Sequence, residues 1–293
     1  MQFFVSWTRS DPIFQIFDSE ANILVSPASV TKQWNISKWP CLPSQLFIDS
    51  GAYSKKNRIP TSQEVLNNQI YISSNWRGNN NLYFSHPDIL IPPKCTYKEK
   101  VNIIKHSLER AGEYFQHLRK TKKDVIPVGV IHGFDEETIL NSYFYLREIG
   151  YNHFALGSIG KMMSMNKKLC MDAILFTESY DIGPLHLFGI TFPLNEKIAA
   201  KNIKSFDSSS TVKLAIYGTV LYGVPLRRYV ISPTKKQIFR DDYFGFREKI
   251  DKPLPCECPI CKTDNYGLLC KDQKTAKNNR IIHNYFQIKW ASQ

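Results

Sequence analysis

No apolar run in the chain approaches the ~20 residues that a helix needs to cross a bilayer, so no membrane span is expected. The opening MQFFVSWTRSD lacks the layout of a secretory signal, which points to a cytoplasmic protein. Internal repeats and low-complexity tracts are also missing, which sets aside solenoids and disordered linkers. Acidic residues are in short supply: 26 Asp and Glu face 38 Lys and Arg, a net charge of +12 and a pI near 9.3. That imbalance favours a polyanionic partner, nucleic acid or an anionic membrane surface. The basic residues fall in four runs, Lys94–Lys123, Lys161–Lys168, Arg227–Lys252 and Lys271–Arg280. One such run is ordinarily a solvated face; four of them in 293 residues favour nucleic acid. Cysteine is sparse except in one place, since four of the seven lie within Cys256–Cys270. That clustering fits a reducing compartment and a metal site better than a disulfide framework.

What the chain does have begins with this cluster. Cys256, Cys258 and Cys261 form a C-x-C-x2-C group, and His283 follows 22 residues after the last thiol. Three thiolates and an imidazole fill a tetrahedral zinc shell and leave no open position, so the Zn2+ is expected to be structural. Cys270 is the rival fourth ligand. With 43% hydrophobic and 13% aromatic residues, the remainder can bury a sizeable core.

Short β-branched or aromatic runs recur at Phe3–Trp7, Leu46–Asp49, Leu82–Ser85, Ile126–Ile131, Phe154–Leu156, Leu185–Ile190 and Ser205–Asp207. They are strand-like in length and apolar on both faces, as parallel strands covered by helices must be. Helical stripes lie between them. Val101, Ile104, Leu108, Ala111, Phe115 and Leu118 share one face. A second helix starts at Glu136, turns Ile139, Tyr143 and Leu146 inward and ends at Gly150. This alternation predicts an α/β protein, a (β/α)8 TIM-type barrel over residues 1–252, with an eighth strand within Leu226–Ile238. Residues 253–293 are expected to form a small C-terminal zinc-binding subdomain packed on the barrel.

Active residues of such barrels gather at the C-terminal strand ends. Those ends carry Asp49-Ser50-Gly51-Ala52-Tyr53, His86-Pro87-Asp88, His132-Gly133, Gly157-Ser158, Phe188-Gly189 and Asp207-Ser208-Ser209. A lone strand-end Asp usually caps the next helix. Three of them beside glycines suit a site where backbone approaches a flat ligand and carboxylates receive its N–H groups.

These segments resemble the tRNA-guanine transglycosylase superfamily. Asp49-Ser-Gly-Ala-Tyr53 is similar to its DSGG[FY] motif, and Val128-Gly-Val-Ile-His-Gly133 to its G-[IV]-[VI]-Q-G strand. Phe154-Ala-Leu-Gly-Ser158 resembles its GG turn, Leu185-His-Leu-Phe-Gly-Ile190 its L-M-G-[VI]-G stretch and Ser205-Phe-Asp-Ser-Ser209 its F-D-C/S segment. The zinc cluster follows in the same order, and the resemblance spans residues 46–284. It implies base exchange at a nucleotide through a covalent glycosyl-enzyme intermediate. Asp207 would be the nucleophile and Asp49 the general acid/base. Asp88 would accept from the N–H edge of guanine, with Tyr53 and Phe188 sandwiching the base. Ser50, His132, Gly133, Gly157, Ser158 and Gly189 would complete the pocket.

The chain departs from the family at four places. His132 stands for Gln, Ala52 for a Gly and Ser158 for a Gly. The P-T-R sequence after the nucleophile is replaced by Ser208-Ser-Ser-Thr-Val-Lys213. These differences resemble the DNA-acting branch, the phage and bacterial DNA-guanine transglycosylases that insert 7-deazaguanines such as 7-cyano-7-deazaguanine. DNA is therefore expected as the partner in preference to tRNA, alongside a free 7-deazaguanine base. The alternatives are a tRNA-guanine transglycosylase and a non-catalytic nucleic-acid-binding paralogue. Lys161, Lys167, Lys168, Lys213, Arg227 and Arg228 are the expected phosphate contacts.

Overall fold

The computed structural model describes residues 1–30, 39, 41–52, 59–74, 76, 81–92, 94–159, 166–191, 201–230, 247–249, 255–263 and 273–293. Eight parallel strands close into a barrel in chain order. They are β1 (Gln2–Trp7), β2 (Asn22–Val25), β3 (Leu46–Ile48), β4 (Leu82–Ser85), β5 (Ile126–Ile131), β6 (His153–Leu156), β7 (Leu185–Leu187) and β8 (Ile203–Ser208). Closure comes from β8 on β1, where Asp207 is in register with Phe4. The predicted barrel is present, but its eighth strand is not where the sequence suggested. Asn22–Val25 takes that place, between β1 and β3. The Leu226–Ile238 stretch instead contributes β10 (Arg227–Val230) to a separate three-stranded sheet with β9 (Thr219–Tyr222) and β11 (Arg247–Lys249). The β1–β2 connection carries only a 3-10 turn at Phe14–Ile16, so no helical stripe announces β2.

The helices follow the strand ends. They are α1 (Ser62–Ile72), α2 (Tyr97–Thr121), α3 (Glu136–Ile149), α4 (Lys167–Ser179) and α5 (Ser210–Ile216), then α6 (Pro259–Thr263) and α7 (Gln273–Ala291). Their starts are fixed locally. Thr61 and Glu64, and Thr96 and Glu99, form reciprocal capping boxes at α1 and α2. Asp135 caps α3, which ends at Gly150 in the left-handed region, as the sequence predicts. Ile139, Tyr143 and Leu146 are buried on its inner face.

Alternation along each strand divides the core in two. Phe3, Val5 and Trp7 point out to the helices and join the larger cluster. Phe4, Leu24, Phe47, Val128 and Ala155 fill the bore, with Tyr83 and Phe188 packed against them. Each buried aromatic or aliphatic side chain contributes about 1.5–3 kcal/mol, so the bore holds the strand ends rigidly.

The C-terminal helix is tied to the barrel. Asn284 accepts from Leu221 N at 2.7 Å and donates to the carbonyls of Thr211 and Thr219. Tyr285 packs on Phe3 and Phe14 and donates to Asp18, which also pairs with Lys289 at 2.6 Å. Among the described residues no helix is long and apolar enough to cross a membrane.

Candidate active site and metal centre

The C-terminal ends of β3 to β8 bring the sequence-predicted acids to one rim. Asp49 directly follows β3, Asp88 follows β4 and Asp207 is the penultimate residue of β8. Asp49 Oδ1 accepts from Gly51 N at 2.7 Å, and Gly51 itself takes a left-handed φ of +76°, which glycine adopts without strain. Burial pushes the Asp49 carboxyl up to about 7, and the carboxylates of Asp207 and Asp88 add to the rise against the Gly51 N–H bond. A group poised there can both hold and release a proton at neutral pH.

Asp88 is held the other way. Burial would raise its carboxyl, but hydrogen bonding and charge from His132 and the Ser50 hydroxyl keep it below the usual range. Ser50 Oγ donates to Oδ1 at 2.6 Å, and His132 Nε2 lies 3.2 Å from Oδ2. His132 Nδ1 faces Ser158 Oγ at 3.3 Å, and the side chain is buried. Both ring nitrogens are thus turned to protein groups, so His132 backs Asp88 rather than presenting a nitrogen to the rim. Ser158 adopts the left-handed region with φ +61°, a conformation that glycine takes without strain.

The glycines have separate reasons. A Cβ on Gly157 would meet His132 Cε1 at 2.6 Å, so the glycine lets that ring lie across the end of β6. A Cβ on Gly133 would meet Ile139 Cγ1 at 2.3 Å and its backbone N at 2.7 Å. Gly133 therefore serves the close approach of β5 to α3, behind the rim. Gly189, at φ +72°, points its N–H at Asp207 Oδ1 over 2.7 Å.

Asp207 is buried and has further partners that sequence reasoning missed. Ser6 Oγ donates to Oδ2 at 2.7 Å, and His186 Nε2 lies 3.4 Å from Oδ1. Buried Gln69 was missed too: its Nε2 donates to the carbonyls of Ile48, Asp49 and Ser85, and Tyr114 holds its Oε1. It clamps the ends of β3 and β4 and so positions the segment of Asp49. A polar residue on an otherwise apolar stripe of Val65, Leu66 and Ile72 was its signal. Phe188 is half-buried, its ring 5.6 Å from Phe47 and 4.8 Å from His186. A cavity of about 680 Å³ lies toward the opposite end of the barrel, among Phe4, Phe47, Tyr83, His153, His186 and Lys204. None of Asp49, Asp88 and Asp207 lines it.

Of the expected phosphate contacts, Lys167 and Lys168 are exposed in the first turn of α4, and Lys213 is exposed on α5. Arg227 is exposed on β10, whereas its neighbour Arg228 is only 8% exposed and does not offer its guanidinium to a phosphate. Tyr53, Lys161 and Cys270 lie outside the described residues.

Cys256, Cys258, Cys261 and His283 come together as predicted, all four buried, with their ligand atoms within 4.8 Å of one another. This group could hold a metal ion. His283 Nε2 lies 2.8 Å from the Leu221 carbonyl, to which it donates, and that bond reserves Nδ1 for a metal. Gln287 Nε2 donates to Cys256 Sγ at 3.2 Å, and the backbone N–H groups of Cys258 and Cys261 face the sulfurs of Cys256 and Cys258. The outer shell is therefore built. No protein-family model and no curated protein matches this chain.

Proposed function

We propose that the protein exchanges guanine in DNA for a 7-deazaguanine through a covalent aspartyl-glycosyl intermediate. The observation that carries this reading is the convergence of Asp49, Asp88 and Asp207 on one barrel rim, with Asp49 and Asp88 unequal in their affinity for a proton. Asp49 is raised to about 7 while Asp88 is held low. Carboxyls driven apart in this way suit separate acid/base and ligand-reading roles.

Asp207 attacks C1′ of the sugar as the N9–C1′ bond breaks, and the departing guanine takes the proton of Asp49. The incoming base then returns its N9 proton to Asp49 and displaces Asp207. Asp88, as an ionised acceptor, holds the N–H edge of the purine, and its loss leaves those donors unpaired. Phe188 offers a half-buried ring at the same rim for stacking. A guanine within a duplex must be extruded at a cost of a few kcal/mol, or arrive single-stranded. Lys167, Lys168, Lys213 and Arg227 would grip the phosphates that make extrusion affordable. The missing P-T-R sequence favours DNA over tRNA, while the basic balance suits either polyanion.

The metal we infer is Zn2+ in a structural role. An ideal tetrahedron with Zn–S and Zn–N bonds of standard length has an N···S edge of about 3.6 Å. The three His283 Nδ1···Sγ separations are 3.4, 3.5 and 3.6 Å.

Incubation with guanine-containing DNA and no incoming base, followed by denaturation, tests the reaction. A shifted protein–DNA band is expected for the parent chain and none for Asp207→Asn. Equal exchange by Asp207→Asn would remove the nucleophile assignment.

A further inference from the structure

We propose that His186 is the positioning residue that receives the negative charge of Asp207 when that carboxylate leaves the sugar; the inference rests on the glycosyl-transfer reading above. His186 lies on β7, only 3% exposed, in the layer of the bore just beneath the rim. Its Nδ1 is 2.8 Å from Ser205 Oγ and its Nε2 is 3.4 Å from Asp207 Oδ1. The two contacts agree on one tautomer. The Ser205 hydroxyl donates to Nδ1, which leaves the proton on Nε2, facing the carboxylate. Phe4, Phe47 and Phe188 pack around the ring, with centroids at 5.8, 4.8 and 4.8 Å.

The Nε2···Oδ1 separation is long for a strong hydrogen bond, whereas Gly189 N and Ser6 Oγ each hold Asp207 at 2.7 Å. Resting catalytic contacts often tighten only in the reacting complex. The direction of the effect follows from where charge goes. In the first half-reaction an Asp207 lone pair forms the C1′–O bond, the N9–C1′ pair departs with guanine, and guanine takes the Asp49 proton. The carboxylate loses its charge, so an N–H donor that favours the ion restrains this step slightly. In the second half the N9 lone pair of the incoming base forms the new C1′–N bond, its proton passes to Asp49, and the C1′–O pair returns to Asp207. An N–H donor lowers the barrier to that departure. Removing His186 should therefore leave adduct formation intact and slow its breakdown.

The discriminating variants are His186→Phe, which keeps a ring among the aromatics without a donor, and His186→Gln, whose amide can accept from Ser205 and donate to Asp207. His186→Phe is expected to form the DNA adduct at the parental rate or faster, to accumulate it at steady state, and to lose about tenfold or more in base exchange. His186→Gln is expected to restore most of the exchange and the low adduct level. Ser205→Ala, which unfixes the tautomer, should show a milder form of the same accumulation. His186→Phe with parental adduct level and parental exchange would overturn the proposal. So would loss of adduct and exchange in proportion with a lowered melting temperature, the mark of a purely structural role. A parent chain that forms no adduct and exchanges no base on any nucleic acid removes the underlying reading and this proposal with it.

Discussion

Asp49 is the residue whose surroundings bear most directly on the proposed chemistry. Its carboxyl is about 3.8 when exposed and is raised to about 7 by burial and by two neighbouring acids. Between those values the folded chain holds a proton that the unfolded chain has released, so this group makes stability fall as pH rises from about 4 through 7. Asp49→Asn removes that dependence, so the gap between the two stability curves should shift steadily in favour of the variant between about pH 4 and 7 and stay constant outside that window. A pH-independent gap would contradict the assignment. In the proposed reaction the same proton passes to the departing guanine. Single-turnover adduct formation should decline as pH rises past about 7, because the acid form disappears. Asp49→Asn should lower exchange by about 10²–10⁴-fold while leaving DNA affinity nearly unchanged. The acids were legible in the sequence because Asp49 and Asp207 end apolar runs beside a serine and Asp88 follows the Leu82–Ser85 run within three residues. His186 and Ser6 were not, since a polar residue inside an apolar strand does not reveal whether it faces the bore or the helices. Only the register of β8 on β1 brings Ser6 and Asp207 to the same spot.

At the scale of elements, the barrel was readable from its strands and the missed piece has a physical cause. β2 is four residues long and follows a connection with only a 3-10 turn, so neither length nor helical periodicity marks it. The stretch assigned in its place does contain a strand, but period-2 patterning identifies a strand without naming its partner, and β10 pairs antiparallel with β9. The glycines were noticed as strand-end features, while their different duties needed coordinates. Gly133→Ala makes the distinction measurable. Its Cβ would lie 2.7 Å from a backbone nitrogen of α3, which cannot yield as a side chain would. Overpacking of this kind costs about 1–3 kcal/mol. A thermal or urea melt should show that loss; an unchanged melt would mean that β5 and α3 are not so close.

For the whole molecule, the C-terminal helix and the Cys256, Cys258, Cys261 and His283 group act as a clasp. His283 and its neighbour Asn284 bind β9, while Tyr285 and Lys289 reach Asp18 beside the barrel. One equivalent of zinc per chain is expected by elemental analysis. Cys258→Ser or strong chelation should lower the melting temperature, and Cys270→Ser should retain the metal. Full thermal stability without metal would contradict a structural role. Charge acts over the same scale: with +12 overall, DNA affinity should fall steeply between low and physiological salt. The most direct test of the central claim is base exchange itself, followed with labelled guanine and a free 7-deazaguanine on duplex DNA, bubbled DNA and tRNA in parallel. The reading predicts label released from DNA, 7-deaza-deoxyguanosine in its nucleoside digest, and faster exchange at the bubble than in the duplex. Exchange confined to tRNA while DNA is bound unchanged, or no exchange on any of the three, would contradict it.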